Sequence, residues 1–144
     1  MASFVVDTSK AESFIGDFPL GPTEATVTSV KADISKKGGA MLVLELQLYH
    51  PSVGSATLKD WLPESFPSKV KAFWMAINDF THEQMAANPV VEINPPDLVG
   101  AQLIVQIGEQ EDEKEKKTYK KIVAPWYYPI SRVDLLAAQE DTPL

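Results

Sequence analysis

Cysteine is absent from the 144 residues. Disulfides are thereby excluded, a structural zinc site is not expected, and the chain suits a reducing cytoplasm. Long apolar runs are missing too: none approaches the roughly 20 residues of a membrane helix, so no membrane association is expected. Residues 1–10 lack a basic stretch followed by an apolar core, so no secretory signal is expected. Histidine is scarce. His50 and His82 are the only two, and they lack the close spacing of a metal-binding pair. Neither a glycine-rich phosphate loop nor a nucleophile-elbow pattern occurs. Asp60, or Glu111 with Asp112, offers oxygen to Mg²⁺, but isolated acidic neighbours are ordinarily solvated rather than ligating. No catalytic residue, metal or cofactor is expected, and the chain reads as a non-enzyme.

Positive charge is also in deficit. Thirteen Lys and Arg face twenty Asp and Glu, a net charge of −7. Nucleic-acid partners usually demand a basic patch, so the total argues against one. The distribution softens that objection. Residues 21–131 hold 11 lysines against 14 acids, five of which crowd residues 109–115. An acidic protein still presents a basic face when its acids sit in tails and hairpin loops.

What is present is an order. Residues 23–34 are rich in Thr and Val, as strands are. Val27, Val30 and Ile34 break strict alternation there, which predicts a bulge or a strong coil. Lys36-Lys37-Gly38-Gly39 makes a hairpin turn. Residues 41–50 alternate cleanly, with Leu42, Leu44, Leu46 and Leu48 inward and Val43, Glu45, Gln47 and Tyr49 outward. Residues 56–62 follow, with Leu58 and Leu62 inward and Thr57, Lys59 and Trp61 outward. A helix is expected over 68–80, with Ser68 as its N-cap and Val70, Phe73, Trp74 and Ile77 as a buried stripe. Thr81 to Gln84 predicts a capping box opening a short helix through Ala87, before an irregular stretch over 88–96. Residues 102–107 and 119–124 read as strands four and five, with Ile122 and Ala124 inward. A charged loop over 109–117 joins them.

β-β-β-α-β-β is the order of the OB-fold, a five-stranded Greek-key barrel that binds oligonucleotides through one face and two hairpin loops. The expected architecture is all-β with one main helix, between strands three and four. Residues 1–20 are expected to be an arm packed on the barrel, 21–130 the OB domain and 131–144 a short acidic tail. The domain leaves function open, so the outward residues must argue it.

Single-strand binders combine a cationic groove with aromatic rings on which bases stack. Lys59 and Trp61 lie two apart on strand three and so share a face, and Tyr119 and Lys121 repeat the pairing on strand five. Tyr49 is outward on strand two. Lys31, Lys36 and Lys37 line the first hairpin, and Lys116 and Lys117 lie beyond the acidic loop. These ten residues are the candidate single-stranded-DNA site. The alternative is a solvated face with stray aromatics, with Trp61 packed under the arm. Trp126, Tyr127 and Tyr128 either seal the barrel or serve a partner.

Ser35-Lys36-Lys37-Gly38, Met41-Leu42-Val43-Leu44, Ala76-Ile77-Asn78, Leu98-Val99-Gly100, and Tyr119 followed by Tyr128-Pro129 form a pattern over about three-quarters of the chain. In it the chain resembles the small OB-fold single-stranded-DNA-binding proteins of bacteriophages. The resemblance implies a viral, non-catalytic protein that coats single strands in the host cytoplasm during DNA replication, recombination or repair. Glu140, Asp141, Pro143 and Leu144 are similar to a reduced form of the acidic tail by which bacterial single-strand-binding proteins dock replication and recombination enzymes. Self-association into a homo-oligomer is compatible with this reading. An OB-fold adaptor between proteins, or a structural phage protein, is the competing expectation.

Overall fold

The computed structural model describes residues 18–34, 36, 38–112, 114 and 117–140, with backbone alone for 112, 117 and 137–140. The strands are β1 (Gly21–Ile34), β2 (Ala40–His50), β3 (Gly54–Pro63), β4 (Gln102–Asp112) and β5 (Lys117–Pro129). The helices are α1 (Pro67–Asn78), α2 (His82–Ala87), α3 (Pro95–Leu98) and α4 (Val133–Glu140). All five strands join in one open antiparallel sheet in the order β3-β2-β1-β4-β5. Sheet and helix order are compatible with an OB-like fold. Among the described residues no helix is long and apolar enough to cross a membrane.

Alternation decides the core. On β2, Leu44, Leu46 and Leu48 are fully buried, and on β4 Leu103, Val105 and Ile107 join them. β1 begins with Thr23, Ala25 and Val27 inward. Val27 pairs with Leu46 while Ser29 pairs with Glu45, so Thr28 is an extra residue. Parity flips there, and Val30 instead of Ser29 packs on the core. The Thr28 hydroxyl fills the bulge by donating to the Glu45 carbonyl at 3.0 Å. The broken alternation of Val27 and Val30 is this bulge. Ile34, past the core, is exposed.

Helix α1 closes the inner face, with Phe73 fully buried and Val70, Trp74 and Ile77 partly buried against the core. It starts one residue before Ser68. Phe66 is the N-cap and Pro67 occupies the first turn, where its fixed φ and missing N–H are tolerated. The capping box of α2 forms as expected, with Thr81 accepting from the Gln84 N–H and the Gln84 side chain accepting from the Thr81 N–H. Within 88–96, expected to be irregular, the short helix α3 begins at Pro95.

Two further expectations are corrected. The charged run over 109–117 is not all loop: β4 extends to Asp112 and β5 begins at Lys117, with Glu109 opposite Lys120 and Glu111 opposite Thr118. Cross-strand pairing of opposite charge favours the longer hairpin. Strand β5 runs on to Pro129, and Ala124 is exposed instead of inward. From Val105 to Ile107 is two steps, but their partners Tyr127 and Ile122 are five apart. The three extra residues break alternation across Ala124 and bring Tyr127 back into the core. Part of the expected tail is helical. α4 packs beside β1. Ile104, on the outward face between Glu24 and Tyr128, is fully buried as well. Of the expected arm, Phe18 is a fully buried core residue whose carbonyl accepts from Lys120 Nζ; residues 1–17 lie outside the described residues.

Gly108 marks a close approach in the β4–β5 hairpin. A Cβ there stands 2.5 Å from one Val123 methyl and 2.7 Å from the other. Gly108→Ala is expected to lower stability by about 1–3 kcal/mol through overpacking. Adding Val123→Ala should recover most of the loss in a urea titration, whereas strictly additive losses would contradict the steric account.

Candidate nucleic-acid interface

The sheet leaves β3 and β5 as its two edges, and they face each other across a groove of about 500 Å³. Lys59, Trp61, Tyr119 and Lys121 line it together, with Phe66, Val123 and Trp126 adding apolar wall. All four are exposed, Trp61 by 48% and Tyr119 by 47%, so neither ring is a core residue. Among the described residues, neither Lys59 nor Lys121 makes an ion pair.

Register places further residues beside the groove. Lys31, Val43 and Trp61 form one row across β1, β2 and β3. At roughly 4.8 Å per strand, the Lys31 and Trp61 backbones lie about 10 Å apart on one face. Lys36 is exposed in the turn beyond that row. Tyr49 is exposed but stands apart: it pairs with Ser55, six residues along β2 from Val43, about 20 Å away at 3.3 Å per residue. Lys37 and Lys116 lie outside the described residues, and only the backbone of Lys117 is described. Of the tail, Glu140 ends α4, while Asp141, Pro143 and Leu144 lie outside the described residues.

The floor of the groove holds what alternation alone missed. Asp60 faces inward between Leu58 and Leu62 and is only 6% exposed. A buried carboxylate is costly unless every lone pair finds a donor. Lys69 Nζ on α1 donates to Asp60 Oδ1 at 2.6 Å, the Trp61 N–H donates to the same oxygen at 2.9 Å, and the Tyr127 hydroxyl donates to Oδ2. Lys69 also donates to the Trp61 carbonyl at 2.9 Å. Both main-chain polar groups of Trp61, at a sheet edge without a neighbouring strand, are thus satisfied by the Asp60–Lys69 pair. The sequence signal was available in principle: an acid on an inward strand position, with a lysine in the first turn of the next helix.

Two consequences concern charge. Lys69 neutralises Asp60, so the floor does not repel an anion and the rim lysines leave the groove net positive. Burial first, then the neighbouring Asp60 charge and hydrogen bond, raise the Tyr127 hydroxyl well above its ordinary ionisation range, holding it as a donor. The aromatics at the end of β5 do not make a flat exposed patch. Trp126 is half-buried edge-to-face on Phe66 (5.2 Å, 86°), Tyr127 is buried on Phe73, and Tyr128 is half-buried with its hydroxyl on Gln106.

Among the described residues no three His, Asp or Glu side chains converge as a metal site. No family model matches the chain, and no curated protein is similar to it.

Lys69→Met removes the charge partner of a buried carboxylate and is expected to cost about 3 kcal/mol in a urea titration. A loss below about 1 kcal/mol would show that solvent reaches Asp60. A second test uses pH. The raised folded-state ionisation of Tyr127 adds stability that is full below the unfolded value, about 10, and is lost as pH rises above it. The stability difference between wild type and Tyr127→Phe should therefore be constant from pH 7 to 9 and shrink at higher pH. A difference that stays constant to pH 11 would contradict the assignment.

Proposed function

We propose that this protein is a non-catalytic OB-fold protein that binds single-stranded DNA with little sequence preference. Phosphates follow Lys31, Lys36, Lys59 and Lys121, and bases stack on Trp61 and Tyr119. The observation that carries the reading is the β3–β5 groove, where two cation–aromatic pairs, far apart in sequence, line one cleft. Each component has a physical role. Lysines exchange condensed counterions for phosphate, and exposed rings offer a face that any base can cover.

The architecture supports the same reading. The order β3-β2-β1-β4-β5 becomes a Greek-key barrel if β3 meets β5, and the Asp60–Tyr127 hydrogen bond links those two edges. OB-folds bind oligonucleotides on the strand two and three face, between the β1–β2 and β4–β5 loops. Here that face carries Trp61 and Lys59, the first loop carries Lys36, and the second hairpin leads into Tyr119 and Lys121. On this reading Tyr49 is a surface tyrosine outside the path. A role in phage DNA replication, recombination or repair, with partners recruited through the acidic C-terminus, extends the proposal from molecule to pathway.

A fluorescence titration with oligo-dT tests it. With four lysines engaged, the logarithm of the association constant should fall against the logarithm of salt with a slope of about −3. Trp61→Ala should weaken binding roughly tenfold, the value of about one stacked base. As a surface change it should leave unfolding stability within about 0.5 kcal/mol. Salt-indifferent binding, equal affinity for duplex, or unfolding of Trp61→Ala would each contradict the reading.

A further inference from the structure

Two further aromatics, besides Trp61 and Tyr119, line the groove. Phe66 and Trp126 face the same cleft as Trp61 and Tyr119 but come from the α1 N-cap and from the irregular stretch of β5. Phe66 is 44% exposed, a large ring left in solvent beside the start of a helix. Trp126 has φ 68°, a left-handed conformation that is a genuine outlier for a bulky residue. Such strain persists only where the surroundings over-determine it, most often at binding sites. A glycine at this position would carry no such strain. The chain instead places an indole there, and its ring meets Phe66 edge-to-face on the groove wall.

The groove is an open cleft whose volume lies in the range of small-ligand sites, about 300–1,000 Å³. Its walls are aromatic and aliphatic. Its polar groups are few: Lys59 and Lys121 at the rim, Lys69 and Asp60 already engaged with each other. An apolar-walled slot with cations at its mouth fits a planar, uncharged ring attached to an anionic backbone.

We propose that Phe66 and Trp126 form a base-insertion subsite: one unpaired nucleobase enters the β3–β5 groove and packs on these rings, while its flanking phosphates stay at Lys59 and Lys121. The proposal rests on the single-strand reading and deepens it. It adds a second class of contact, a swallowed base instead of a surface-stacked one, and excludes a paired base, whose partner strand cannot enter the slot. Because the subsite is uncharged, it contributes affinity without contributing to the salt slope.

The test compares wild type with Phe66→Ala on two strands, dT12 and a 12-residue abasic strand that keeps sugar and phosphate. Phe66→Ala is expected to weaken dT12 about tenfold, to weaken the abasic strand less than twofold, and to leave the salt slope unchanged. Trp126→Gly gives a second variant that removes the ring while relieving the positive φ, and it should show the same selective loss. Equal losses on both strands would mean that the rings act only through the fold and would overturn the subsite. Unchanged dT12 binding by both variants would overturn it too, leaving the wider reading intact. If wild-type protein fails to bind dT12 at all, both fall together.

Discussion

A carboxylate buried between two strand edges sets a condition that the rest of the site must meet. Asp60 is carried inward by the alternation of β3, and no neighbouring strand is there to satisfy the edge. Desolvation of the charge is offset only if donors converge on it, and three do. Each donor comes from a different element: the β3 main chain, α1 through Lys69 and β5 through Tyr127. One acid therefore fixes where the helix docks, how far the two edges stand apart, and how the Trp61 backbone is held. Weakening this cluster would change the width of the groove before it changed any residue on its rim.

The sheet's irregularities allot its outward faces. The Thr28 bulge moves β1 from odd to even parity, so Lys31 turns outward in the same row as Trp61. The extra residues of β5 return Tyr127 to the core and present Trp126 on the groove wall. Along the same outward face Ile104 is buried and α4 packs beside β1, so that part is covered, while the part bearing Lys31, Lys59, Trp61 and Lys121 is exposed. Much of the acidic charge lies on the far part of the β4–β5 hairpin and in the flanking segments, but Glu45 stands directly opposite Lys59 on the same outward face.

Much of this was legible in the sequence because it follows from period and punctuation. The β2 leucines, the α1 stripe, the capping box of α2 and the outward pairing of Lys59 with Trp61 are local patterns. The break at Val27 and Val30 announced the bulge. What was not legible depends on contacts across the fold. Ser68 is a good N-cap residue, yet Pro67 occupies the first turn and Phe66 is the cap, two residues earlier. The hairpin over 109–117 looked like loop because its charges are dense. Cross-strand placement of Glu109 opposite Lys120 turns the same charges into strand. Tyr49 shared a parity with the site but not a position along the strand, and parity says nothing about distance. Asp60 was visible as an acid beside Trp61, but its burial depends on Tyr127, 67 residues away.

A single strand in the β3–β5 groove would meet two of the three tryptophans and not the third. Trp61 and Trp126 line that groove, while Trp74 lies on the helical side among Phe80, Val90 and Val91. The most direct measurement is a nitrogen-correlated NMR titration of the three indole N–H signals with dT12, assigned by single Trp→Phe variants. The account predicts that Trp61 and Trp126 shift together in a saturable manner and that Trp74 does not move. A Trp74 shift with Trp61 and Trp126 unchanged, or no indole shift at saturating oligonucleotide, would contradict it.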